Sequence, residues 1–229
     1  DEALLVDYKP QMQAMKREVL VRNAPKYFID DVFHTGTEQK SALNITSLKQ
    51  FAIANGRSEV MATNGAPLSL KRLATALEEV PSSGADVKIY MSSLLKPLMS
   101  GLVGNQSVSG NVNILPNQFG LPYYYYMGIP IVFVGKRFDR AFRLGFNEST
   151  GTNNETTSIF ITANSENDIF GIMDAPKLYT SDGVTIVTTP DGKKAPQKQE
   201  LLDIPLGIGF GSKYSIWRIG GITNAAIVA

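Results

Sequence analysis

The chain has 229 residues, of which 43% are hydrophobic and 19% charged, with a net charge of +1, 20 glycines and no cysteine. Such a composition describes an ordered globular protein with room for one sizeable core or two modest subdomains. It excludes disulfides, thiol nucleophiles and cysteine metal sites, and gives no charge argument for a nucleic-acid footprint or an acidic partner. No apolar run approaches the roughly 20 residues of a membrane-crossing helix, and no signal peptide is visible. The absence of cysteine is compatible with a reducing compartment.

In chain order, Leu4, Leu5, Tyr8, Met12, Met15 and Val19 recur at helical spacing, with Lys9, Gln13, Lys16 and Arg17 on the other side. Asp7 is a candidate cap, and Pro25 is expected to kink or end this helix near Ala24. Tyr27 to Phe33 adds a short helical piece. Ser47 to Ala54 reads as a short helix or a strand, and Asn55-Gly56 and Asn64-Gly65 are turn signals.

The clearest stretch runs from Pro67 to Leu102. Ser69 is a helix cap, and Leu70, Leu73, Ala74 and Leu77 share one face of a helix that Pro81 and Gly84 stop. Val87 to Met91 is a strand, apolar at Val87, Ile89 and Met91. Ser92 or Ser93 caps a second helix with Pro97 in or near its first turn and Leu94, Leu95, Leu98 and Leu102 on its buried face. Ile129 to Val134 is a second buried strand, expected to pair beside the first.

Gly104 to Gly120 is Asn-, Ser- and Gly-rich and reads as an exposed loop. Phe138 to Phe146 is a short amphipathic stretch, and Asn147 to Thr157 is polar enough for a mobile loop. From Ser158 the period becomes strand-like: Ser158–Ala163, Ile169–Met173, Val184–Thr189 and Ile204–Trp217. Asp182-Gly183 and Pro190-Asp191-Gly192 look like hairpin turns.

The order of these pieces carries a resemblance. The helix from Leu68 to Val80, the D-V-K-I-Y-M strand, the S-S-L-L-K-P-L helix and then Y-M-G-I-P-I-V-F-V resemble the central part of tailed-bacteriophage major capsid proteins, the Hong Kong 97-type capsid fold family. In weaker form the likeness runs from about Leu4 to about Thr223. It implies an α+β fold with a central α/β domain near the capsomer axis and a peripheral domain of a spine helix plus long β-strands. Residues 1–34 would be the spine helix and 35–157 mainly the central domain. Residues 158–216 would be mainly peripheral strands, and 217–229 a return to the central domain. The resemblance also implies an N-terminal extension and a protruding hairpin upstream of Asp1, so the chain reads as a processed or partial product. Some family members cross-link through a lysine and an asparagine of neighbouring subunits, and neither position maps onto this sequence.

The residues of chemically competent type each have a plainer reading. His34, the single histidine, sits one helical turn after Asp30, which is half of what most metal sites need; a surface helix end explains the pair better. No G-x-S-x-G elbow accompanies it for a serine triad. Gly207, Gly209 and Gly211 mimic a phosphate loop, but Lys213 to Trp217 reads as strand where a helix would be required. A bend, a bulge or close backbone packing is the better reading. Glu166 with Asp168, or Asp139 with Glu148, are imaginable carboxylate pairs for glycoside hydrolysis, though acidic residues in such loops are mostly solvated. Tyr123–Tyr126, near Phe119, offers a stacking platform, or more simply an edge strand, a core flank or a protein contact. The sequons at Asn44, Asn105, Asn147 and Asn154 are chance matches without a secretory signal.

No catalytic, cofactor-binding or metal site is therefore assigned, and the chain reads as a non-enzymatic structural protein. The expected function is that of a major capsid subunit, assembling with itself into hexamers and pentamers around double-stranded DNA, without sequence-specific contacts. Scaffolding, portal and decoration proteins are expected partners, the virion and earlier the host cytoplasm the expected location, with no membrane. An encapsulin-like compartment shell is the alternative within the fold. A carbohydrate- or ligand-binding module or a carboxylate hydrolase is the alternative outside it.

Overall fold

The computed structural model describes residues 15, 18–19, 22, 25–26, 28–33, 46–81, 86–102, 112–116, 122–137, 139–173, 177–180, 185–188, 194–197, 200–203 and 206–228. The chain is mixed α+β and divides into two compact units, residues 29–170 with 208–229 and residues 1–28 with 171–207.

Among the described residues the larger unit contains α1 (Leu48–Ala54), α2 (Leu70–Glu78) and α3 (Lys96–Leu102), besides helical residues 29–32. Its strands are β1 (Ser58–Val60), β2 (Asp86–Ser92), β3 (Val112–Pro116), β4 (Pro122–Tyr126), β5 (Ile129–Val134), β6 (Glu148–Thr150), β7 (Asn153–Asn164) and, near the end, β14 (Ile216–Ile222). They form a sheet in the order β1-β14-β7-β2-β5-β4-β3, with β6 also paired to β7. β2 and β5 run parallel, as do β1 and β14, and β7 is antiparallel to both β2 and β14. The chain leaves this unit within β8 (Ile169–Met173) and returns within β13 (Leu206–Phe210), which pair with each other. In the smaller unit β9 (Lys177–Thr180) pairs antiparallel with β12 (Glu200–Asp203), and β10 (Thr185–Thr188) with β11 (Lys194–Gln197).

The helix–strand–helix centre forms as its sequence dictates. Ser69 caps α2 by accepting the Arg72 N–H, and Leu70, Leu73 and Ala76 are buried, with Ala74 and Leu77 packed beside them. Val87, Ile89 and Met91 of β2 point into the same core, where they meet Ile159, Ile161 and Ala163 of β7 and Ile219 and Ile222 of β14. Each fully buried side chain of this size contributes about 1.5–3 kcal/mol. After β2, Ser92 caps a 3₁₀ turn at Ser93–Leu95 before α3 begins, so the helix is entered in two steps. Its buried side is Leu95 and Met99. Leu94, expected there, is only half-buried, because the tighter turn rotates it away. β2 and β5 pair as expected, Ile89 opposite Ile131 and Met91 opposite Phe133.

Where the reading was open, Ser47–Ala54 is a helix, because Ser47 and Gln50 form a reciprocal capping box, 3.3 and 3.1 Å. Several expectations are corrected. Within the presumed loop 104–120, Val112–Pro116 is a strand, β3, paired in full register with β4. The amphipathic stretch, left without an assigned element, forms turns over residues 139–146 around a Lys136–Phe142 bridge, with Leu144 buried. The polar run 147–157 is a hairpin of β6 and β7, turned at Gly151, with Glu148, Thr156 and Thr157 buried. The expected strand Ile204–Trp217 is interrupted by a 3₁₀ turn at Lys213–Ser215, capped by Ser212, which separates β13 from β14. Pro25 is itself helical, and Met15 and Val19, placed on an apolar face, are exposed. Leu4 to Met12 and the turn signals at 182–183 and 190–192 lie outside the described residues.

Candidate functional site

The expected carboxylate pairs do not become sites. Glu166 is exposed, and Asp168 accepts the Ser165 hydroxyl at 2.6 Å while its carbonyl accepts the Gly211 N–H at 2.6 Å. Both groups close a turn. Asp139 is exposed and accepts the Ala141 N–H at 3.0 Å, whereas Glu148 is buried with other partners. Asp30 receives Arg143 in a close ion pair, with Arg137 3.9 Å away. His34, Asn44, Asn105 and Phe119 lie outside the described residues, and Asn147 and Asn154 are exposed. No group of three or more metal-ligating side chains converges among the described residues.

The glycine run has a packing cause. A Cβ at Gly209 would run into the Phe170 ring, and one at Gly211 into the Asn167 backbone. Close approach, not phosphate, is what these positions need.

The chemistry the sequence did not reveal is a buried charge cluster. Glu148 Oε2 receives Arg218 at 2.8 Å, Lys49 at 3.0 Å and the Ser158 hydroxyl at 2.9 Å, and its side chain is 1% exposed. Arg218 also donates to Ser58 at 2.9 Å. One carboxylate thereby ties α1, β6, β7 and β14 together, and through Arg218 reaches β1. Beside it, Arg57 lies over the Trp217 ring at 4.5 Å and the Tyr214 ring at 5.1 Å, and donates to Glu79 at 3.1 Å. Glu148 looked solvated because its neighbours are Asn, Ser and Thr. The available signal was Arg218, a lone cation inside the apolar strand I-W-R-I, which needs a buried counter-charge. With two cations and a hydroxyl on one oxygen, the cluster is built for holding elements together.

Elsewhere the electrostatics are local. Lys88 is raised in pKa by its hydrogen bond to Asp86, 2.6 Å away. Burial raises the phenols of Tyr90 and Tyr126. Within the larger unit a cavity of about 410 Å³ is lined by residues that include Val32, Phe33, Leu48, Tyr90 and Val134. Arg143 is its one charged lining residue among those described, and it is already engaged by Asp30. The cavity gathers no acid–base pair.

The tyrosine run resolves into a strand with two faces. Tyr124 and Tyr126 are buried: the Tyr126 hydroxyl donates to the Leu70 carbonyl at 2.8 Å, and the Tyr124 hydroxyl bonds with Ser100 at 2.7 Å. Tyr123 is 46% exposed and stands opposite Leu115, which is 54% exposed. The run is therefore a core flank on one side and an exposed surface on the other. β4 is one strand in from the border, which is β3.

No family model and no curated protein sequence matches the chain. Its fold is similar to that of a chain in the holo-SrpI encapsulin complex from Synechococcus elongatus PCC 7942. The identity is 10% and the TM-score 0.53, over 93% of this chain and 66% of that one. This chain thus spans just under two thirds of that protein's length. A chain of the satellite phage P4 procapsid including size determination (Sid) protein matches at 10% identity, over 96% of this chain and 71% of that one. Its TM-score is 0.47. The first likeness establishes a shared fold, a mixed α+β chain around a large sheet.

Proposed function

We propose that the chain is a shell-forming structural subunit, and in its finer form the major capsid subunit of a tailed bacteriophage. The observation that carries this reading is the fold shared with an encapsulin over 93% of the chain. The mechanism is assembly: copies tile into hexamers and pentamers through contacts that are individually modest and strong in sum. Residues 1–34 and 158–216 serve the periphery, and 35–157 with 217–229 surround the capsomer axis. Double-stranded DNA fills the shell without sequence-specific contacts, which suits a net charge of +1. Scaffolding, portal and decoration proteins are the further partners, the virion is the location, and no catalytic role is proposed.

An encapsulin-like compartment is the second reading, favoured by the identity of the matched structure. A ligand-binding module or hydrolase has less support, since the cavity brings together no pair of carboxylates or free cations among the described residues. Electron microscopy of particles made from the full coding region separates the first two: DNA inside supports a phage head, and protein cargo supports a compartment. Empty hands on both counts, with a monomer at every concentration, would remove the shell reading.

A further inference from the structure

Charge is spread unevenly along this chain. From Pro97 to Gly135, 39 residues in succession, the sequence contains no Asp, Glu, Lys, Arg or His. The next stretch holds Lys136, Arg137, Arg140 and Arg143 against the single acid Asp139. Taking those four cations and one acid from the chain's 22 and 21 leaves 18 and 20, a net charge of −2. The overall +1 therefore conceals one concentrated cationic turn.

The fold pins this turn at its base and leaves two of its cations outside. Lys136 bridges Phe142, the Arg137 N–H donates to the Ala141 carbonyl at 2.8 Å, and the Arg143 N–H donates to the Gly135 carbonyl at 3.2 Å. Asp30 draws Arg143 inward in a close ion pair. Arg137, 3.9 Å from Asp30 and 3.8 Å from Asp139, is shared between two carboxylates. Lys136 and Arg140 are exposed, and among the described residues no carboxylate pairs with either. Arg140 also stands at φ 66°, a left-handed conformation that Gly or Asn occupies more readily. An arginine there serves neither the backbone nor an internal ion pair. It presents a cation.

We infer that the Lys136–Arg143 turn is a contact for the phosphate backbone of double-stranded DNA, with Lys136 and Arg140 meeting phosphates and Arg137 beside them. Guanidinium suits phosphate because it offers two parallel donors. Duplex DNA carries a charge about every 1.7 Å of its axis, denser than an acidic peptide, so a tight group of cations gains most from it. From Gly135 to Phe146 there is no Asn, Gln, Ser or Thr to read base edges, and the contact is independent of sequence. One turn binds weakly, but a shell repeats it in every subunit. DNA as the partner rests on the shell-forming reading above, and two separate readouts keep the two apart.

The test is fluorescence anisotropy of a labelled random-sequence duplex, titrated with the full chain below its assembly concentration at several salt concentrations. Wild-type affinity should fall about 10- to 40-fold between roughly 50 and 200 mM salt, as two or three phosphate contacts require. Lys136→Gln and Arg140→Asn should each lower the salt slope by about one, whereas Lys71→Gln, at an exposed cation of α2, should leave it unchanged. Asparagine suits φ 66°, so Arg140→Asn should melt no lower than wild type while binding DNA less. A double variant that keeps the wild-type slope would overturn the DNA contact. So would polyglutamate bound as tightly as DNA, which would indicate an acidic protein partner. Electron microscopy of the same preparations reads the shell separately. Shells from a chain whose variants bind DNA unchanged would overturn the contact and leave the shell reading standing; Arg140-dependent binding by a chain that forms no shells would uphold the contact and remove the shell reading.

Discussion

At one border of the main sheet, β1, β14 and the β6–β7 hairpin are held together by ionised side chains; at the other, β3, β4 and β5 contain none. At the charged border Glu148, Arg218, Lys49 and Arg57 find their partners inside the chain, so its strongest interactions are internal. At the uncharged border Tyr124, Tyr126 and Val112 turn one face into the core. Its other face and its outer edge present Leu115 and Tyr123. A buried ion cluster ties its elements together by charge, whereas the uncharged strands are held by ladder bonds and core packing.

The comparison breaks most sharply at Glu148. Glu148→Ala leaves Arg218 buried without its carboxylate and is expected to cost about 3–5 kcal/mol in urea unfolding. Pairing Glu148→Leu with Arg218→Met should recover much of that loss, since no unpaired Arg218 is then left buried, and the more exposed Lys49 can turn to water. Leu73→Ala, in the core that both borders share, is expected to cost about 3 kcal/mol, from lost transfer energy plus a cavity. At the uncharged border Tyr126→Phe removes the bond to the Leu70 carbonyl, and should cost about 1 kcal/mol in thermal unfolding. Ser47→Ala, which opens the capping box of α1, should cost about 1 kcal/mol as well.

The buried phenols add a pH dependence. Tyr90 and Tyr126 have folded pKa values raised by burial above the ordinary 10.0. Their contribution is therefore fully present below pH 10 and is lost as pH rises through the folded values, because the unfolded chain releases its protons first. Wild type should lose stability above pH 10, and Tyr126→Phe should flatten that decline. An unchanged slope would mean that Tyr126 ionises as freely folded as unfolded.

The centre of the fold was legible because local signals agree there: the Ser69 cap, the Leu70–Leu77 period and the alternation at Val87, Ile89 and Met91 all describe one arrangement. β3 was hidden because Val112–Pro116 is five residues set among Asn, Ser and Gly, and its pairing with β4 is a tertiary fact. The β6–β7 hairpin was hidden because Thr156, Thr157 and Ser158 are polar yet buried, satisfied in part by Glu148 and its backbone. The break between β13 and β14 follows from Ser212, whose cap on a short turn is invisible in an otherwise strand-like run. Of the candidate sites, Gly209 and Gly211 sit where a Cβ would collide with Phe170 and Asn167, and Tyr124 and Tyr126 flank the core, while Tyr123 is exposed. The charge cluster was missed, since nothing in sequence brings Lys49, Glu148 and Arg218 together.

Negative-stain electron microscopy of the protein expressed from its full coding region, with scaffolding protein supplied, tests the shell-forming reading most directly. Closed particles of uniform diameter are the expected result. A monodisperse monomer at every concentration would contradict it.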